Sequence, residues 1–254
     1  MKKALLYTVS FLFIQLLAST LVTVVLKLTG YGHLSQSPYV MIGSMVLFSV
    51  VTLVVFLRLH WAVVSPDYLR SKPRMVMGWS VVAALGTVIP SIFIQELMPE
   101  LPNLVEQQLG DMMNAHGGYF VICLMAPLVE ELVMRGAVLS ALLQWQPNRH
   151  WAMIALSALL FALIHMNPAQ MPHAFAVGLL LGWMYYRTGS IVPGVIYHWA
   201  NNTVAYFLFK LYPDPNIHLI DILGSQQRVL MAVAFSLLIL LPAVFQLNVW
   251  MRRR

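Results

Sequence analysis

Charge is what this sequence has least of. Asp, Glu, Lys and Arg make up 9% of its 254 residues and hydrophobic residues 60%, whereas a soluble domain carries about a quarter charged residues. That excludes an ordinary soluble domain and points to an all-α, integral, multi-pass membrane protein. Acids are scarcer than bases, nine against fifteen, and the basic excess is assigned below to topology rather than to nucleic acid. Cys123 is the sole cysteine, which excludes a disulfide framework; alone in a span, it is expected to pack as a small apolar residue. There is no repeat, linker or low-complexity stretch, so one transmembrane helical domain over residues 1–254 is expected. No His-Glu-x-x-His pattern occurs. No Ser, Thr or Cys stands at a recognisable spacing from a base.

What is there is a series of apolar runs, each near the roughly 20 residues that cross a bilayer. They cover Ala4–Leu26, Tyr39–Leu57, Met75–Gln95, Gly117–Gln144, Trp151–Met166, His173–Tyr186, Ile191–Leu211 and Val229–Trp250. The first follows Lys2 and Lys3 like a signal peptide, but it is too long and has no convincing cleavage site, so it is expected to remain as a helix. About eight spans in one bundle place both termini on one side, and the Lys/Arg bias tests that count. With the N-terminus in the cytoplasm, Lys2, Lys3, Arg58, Arg70, Lys72, Arg74, Arg149, Arg187, Arg252, Arg253 and Arg254 all fall inside. Only Lys27, Lys210 and Arg228 fall outside, and Arg135 lies within the membrane.

The fourth run, over Met125–Leu142, breaks the apolar pattern with Pro127, Glu130, Glu131 and Arg135. An ionisable residue at the bilayer centre costs roughly 2.5–3.5 kcal/mol on insertion scales, so such residues face protein or a water-filled cavity. Glu131 and Arg135 are four apart with the acid first, neighbours on one helix face that can neutralise each other. Glu130 points about 100° away and is left for another helix. Pro127 removes a backbone hydrogen bond and is expected to kink the helix just before the site. Two later runs offer partners: Phe161 and His165 share one face, and so do His198 and Asn202. Three intramembrane polar clusters must be gathered at the bundle centre to be hidden from lipid. A carboxylate beside imidazole can activate water, and an imidazole with a carboxamide can stabilise an oxyanion. These are the parts for peptide hydrolysis without a protein nucleophile.

Glu130-Glu131-x-x-x-Arg135, Phe161-x-x-x-His165 and His198-x-x-x-Asn202, in that order on successive hydrophobic segments, resemble the three motifs of the CAAX protease and bacteriocin-processing (CPBP, or ABI) family of intramembrane proteases, which includes the type II CAAX prenyl endopeptidases. The resemblance covers residues 119–209, the expected catalytic core; elsewhere it is hydrophobicity alone. It implies that Glu130 and His165 activate the water, that His198 and Asn202 stabilise the oxyanion, and that Glu131, Arg135 and Phe161 support them. It implies an endopeptidase acting on a membrane-anchored or lipidated, CAAX-like protein in the bilayer. The rival reading is a non-proteolytic member, a bacteriocin-immunity protein or scaffold. No cofactor is expected; zinc at Glu130, His165 and His198 is the less favoured alternative.

The remaining features read more plainly. Gly178 and Gly182 suit close helix approach. Trp61, Trp79, Trp145, Trp151 and Trp250 sit near span ends, as interfacial anchors do. His116, His173 and His218 are expected to be solvated, and Asn167 to serve the Pro168 turn. Counted from the inner ends of their spans, His165 and His198 lie at different depths, which requires either a displaced fifth span or a tall cavity.

Overall fold

The computed structural model of the chain describes residues 1–71, 73–214 and 217–251. The expectations placed on Lys72, Arg252, Arg253 and Arg254 lie outside the described residues. Among the described residues every regular element is helical. Each expected span corresponds to a helix: α1 (Lys2–Leu28), α2 (Pro38–Arg58), α4 (Arg74–Glu96), α6 (118–145), α7 (His150–Ile164), α8 (Met171–Thr188), α9 (Val192–Leu211) and α11 (Gln226–Trp250). Between them lie three short helices, α3 (Pro66–Arg70), α5 (Glu106–Asn114) and α10 (Leu219–Leu223). The boundaries follow local chemistry. Pro38, Pro172 and Pro193 sit in the first turns of α2, α8 and α9, where the missing N–H costs nothing. Gly189, at φ +65°, ends α8 in the left-handed conformation.

The helices α1, α2, α4 and α11, together with Pro147–Ile164, are long and apolar enough to cross a membrane. Large apolar side chains stand exposed along α1 and α11, among them Phe13, Leu16, Phe235, Leu238 and Phe245, as a lipid-facing surface requires. The chain is an integral, multi-pass membrane protein. Of the helices outside that apolar group, α6 carries Glu130, Glu131 and Arg135 and α9 carries His198 and Asn202, while His165 caps α7.

Two apolar cores flank these polar helices. One joins α1, α2, α6 and α7 around Phe56, Met134, Leu139 and Phe161; the other joins α4, α8, α9 and α11 around Ala83, Leu181, Tyr197 and Leu247. Glycines set the closest approaches. A Cβ on Gly178 would lie 3.0 Å from Ala158, and one on Gly182 would lie 2.9 Å from Ile154, so the small pair on α8 lets α7 pack directly against it.

Two expectations change. The fifth span stops at Ile164 rather than Met166, and the polar connection 97–117 contains α5, an amphipathic helix with Met112 buried and Glu106 and Asp111 exposed.

A close backbone approach joins α4 to α11, where a Cβ on Gly86 would stand 2.8 Å from the backbone nitrogen of Leu240. Backbone cannot yield as a side-chain tip can. Gly86→Ala is therefore expected to cost about 1–3 kcal/mol, read as a lower unfolding temperature of the purified protein in detergent; an unchanged midpoint would contradict this packing.

Candidate active site

The three motifs converge because α6 is not a uniform helix. Its backbone is wound as π-helix over Phe120–Met125 and again over Leu132–Leu139, with an α-helical turn, Ala126–Glu131, between them. Such wide turns concentrate at functional sites. The expected kink at Pro127 is realised as the first π stretch. In π register the N–H of residue 127 would bond the carbonyl of Ile122, and proline has none to give. That orphaned carbonyl accepts a hydrogen bond from Asn202 Nδ2 at 3.0 Å. Cys123, fully buried in the same turn, donates its thiol to the Asn202 carbonyl oxygen at 3.5 Å, a packing role as expected. Trp199 Nε1 donates to the Tyr119 hydroxyl at 3.2 Å, a group also within hydrogen-bond distance of Thr203. Four polar contacts thus fix the register of α9 against α6.

Below this region lies a dry charged centre. Arg135 Nη1 donates to Glu131 Oε1 at 2.8 Å, and both side chains are essentially inaccessible. The guanidinium also donates from Nη2 to the Gly178 carbonyl at 3.3 Å and stacks 4.3 Å from the centroid of the Phe161 ring. The brace read from the i, i+4 spacing is therefore larger than a pair: it joins α6, α7 and α8. It also includes α9, since His198 Nδ1 lies 3.3 Å from Glu131 Oε1. An ionised carboxylate only accepts, so Nδ1–H donates and the ring orientation of His198 is set by Glu131. Gly194 completes the shell, because a Cβ there would stand 2.7 Å from Glu131 Oε2.

Glu130 points the other way, as its position round the helix requires, into a cavity of about 740 Å³. His165, His198 and Asn202 line the same cavity. His198 Nε2 lies 3.8 Å from Glu130 Oε2, so this imidazole stands between the two glutamates. His165 caps the end of α7. Its Nδ1 lies 2.8 Å from the Phe161 carbonyl, an acceptor only, so Nδ1–H donates and Nε2 keeps its lone pair in the neutral ring. Met166, at φ +51°, turns the chain away immediately afterwards. His165 and His198 line one cavity although they stand at different distances from the starts of their helices, α7 ending at Ile164 after 15 residues.

Two expectations need correction. His173, expected in solvent, lines this cavity from the first turn of α8, with its Nε2 3.4 Å from Asn201 Nδ2. A histidine at a span boundary reads as solvated because sequence cannot show how the chain turns after α7. Asn167, expected to serve the Pro168 turn, is wholly buried; its Oδ1 accepts from Leu104 N and its Nδ2 donates to Asn103 Oδ1, both at 2.9 Å. It draws the 97–105 connection down over the end of α7. His116 is exposed, and His218 is largely so, 3.7 Å from Glu96. Among the described residues, no three His, Cys, Asp or Glu side chains are grouped closely enough to ligate one metal ion, and Glu130, His165 and His198 do not form such a set.

Lysine cannot reproduce the planar fork and ring stacking of Arg135. Arg135→Lys should leave a buried acceptor unpaired, at a cost of about 1–3 kcal/mol. The expected result is a clear fall in unfolding temperature, and an unshifted midpoint would mean that the charged centre does not hold the helices together.

No curated protein and no solved structure matches the chain. Residues 114–204, the stretch that supplies Glu130, His165, His198 and Asn202, match the model for type II CAAX prenyl endopeptidase Rce1-like proteins and are in that sense similar to them.

Proposed function

We propose that the chain is an intramembrane endopeptidase that hydrolyses a peptide bond of a membrane-anchored polypeptide with water activated by Glu130 and His165. The observation that carries this reading is the shared cavity: a carboxylate, two imidazoles and a carboxamide from three helices face one space. Glu130 is partly accessible there and not consumed by the buried ion pair, so it is free to take a proton from water. The Nε2 lone pair of His165 is the second acceptor. Water then attacks the scissile carbonyl, and the proton it loses is passed to the leaving amine by the same acid–base groups.

The developing oxyanion needs fixed donors. Asn202 has two amide N–H groups; one is given to Ile122, and the other is assigned to the oxyanion. For His198 to donate as well it must carry protons on both ring nitrogens, Nδ1–H donating to Glu131 and Nε2–H to the oxyanion. Removing one oxyanion donor typically costs about 10²–10³ in turnover. No step is assigned to a metal.

Glu130→Ala and His165→Ala are each expected to abolish cleavage of a membrane-anchored reporter while leaving the unfolding temperature near wild type; retained turnover in both would refute the mechanism. Exhaustive chelation is expected to leave turnover unchanged. Loss of activity restored by zinc would replace the metal-free reading.

A further inference from the structure

We infer that the cavity opens on the extracytoplasmic side of the membrane, so that the peptide it takes is the extracytoplasmic part of a membrane-anchored chain rather than a tail presented in the cytoplasm. The nature of the ligand rests on the function proposed above; the position of the mouth does not.

The cavity is built from one end of the bundle only. Its walls come from α1 between Phe11 and Thr23, α2 between Val40 and Ser49, α6 between Ile122 and Glu130, the end of α7, α8 between His173 and Val177, α9 between His198 and Tyr206, and the connections at that end, including Gln36 and the inner face of α5. Among the described residues, nothing from the opposite connections at 59–71, 146–149 or 189–191 lines it. Its rim is polar and open, with Ser19, Gln36 and Gln108 exposed.

The opposite end is shut. The segment after α2 folds back beneath the site, where Val63 N donates to the Gly136 carbonyl at 2.9 Å and Ser65 Oγ donates to the Gly189 carbonyl at 2.7 Å. Trp61 seals it against Tyr7 and Phe56, with ring centroids 5.0 and 5.3 Å away. Above this plug lies the dry Glu131–Arg135 layer. That end offers water and peptide no approach.

Charge tells the two ends apart. Among the described residues the shut end holds Lys2, Lys3, Arg58, Arg70, Arg74, Arg149 and Arg187, and the open end holds Lys27, Lys210 and Arg228. Lys and Arg near span ends are retained in the cytoplasm, which makes the shut end cytoplasmic and the open end extracytoplasmic.

The test uses the full chain with Cys123 replaced by Ala and single cysteines introduced as Ser19→Cys, Gln36→Cys or Asn148→Cys, expressed in bacterial spheroplasts and treated with a membrane-impermeant maleimide. The first two lie at the mouth, the third at the shut end, and all three sites are exposed. The cysteines at 19 and 36 are expected to label in intact spheroplasts, and the one at 148 only after lysis. Labelling of the cysteine at 148 alone before lysis, or silence of both mouth cysteines before lysis, overturns the inference. The same labelling in a Glu130→Ala background needs no catalysis. Correct labelling with no cleavage of reporters carrying their scissile segment on either side would instead refute the proposed activity.

Discussion

A carboxylate and a guanidinium meeting in a water-free layer are the constraint on which the rest of the structure depends. Such a pair gains stability only when its geometry is good and its remaining donors are satisfied. The chain meets most of that demand from four helices, leaving Arg135 Nε and Glu131 Oε2 buried without a hydrogen-bond partner among the described residues. Glu131 and Arg135 come from α6, the stacked ring of Phe161 from α7, the Gly178 carbonyl from α8 and the His198 imidazole from α9. Each contribution requires a local feature of sequence: glycine at 178 for the approach of α7, glycine at 194 for the width of a carboxylate, and histidine one side chain away from both glutamates. The layer fixes where the reactive residues stand and separates the cavity from the opposite face.

Adjacent glutamates thereby acquire different work. Residues 130 and 131 diverge by about 100° round one helix, so the same turn that buries Glu131 in the brace turns Glu130 into the cavity. His198 links the two, orienting on the buried acid while facing the accessible one. The backbone shows a similar coupling. Pro127 deprives Ile122 of its partner, Asn202 supplies one, and a defect in α6 becomes the anchor for α9.

Much of this was legible in sequence. The helical fold and the positions of the long helices follow from apolar run length, and the assignment of Glu130 to the cavity follows from helical periodicity and the i, i+4 spacing of Glu131 and Arg135. The π winding of α6 was not legible, since only Pro127 hints at it and proline alone equally well forecasts a kink. Neither were the cavity position of His173 and the clamp by Asn167. Both depend on how the chain turns after α7 and on the 97–105 connection packing over that turn, which are tertiary facts with no local periodic signature. The link from His198 to Glu131 was likewise hidden, because residues 67 apart carry no spacing rule.

The central claim is the division of labour between the two acids, and one measurement addresses it directly: the turnover number and the unfolding temperature of Glu130→Gln and Glu131→Gln, determined on the same detergent preparations with a membrane-anchored reporter. The account predicts that Glu130→Gln loses turnover at an essentially unchanged midpoint, while Glu131→Gln unfolds at a lower temperature. A Glu130→Gln protein that still turns over, or a Glu131→Gln protein as stable as wild type, would contradict it.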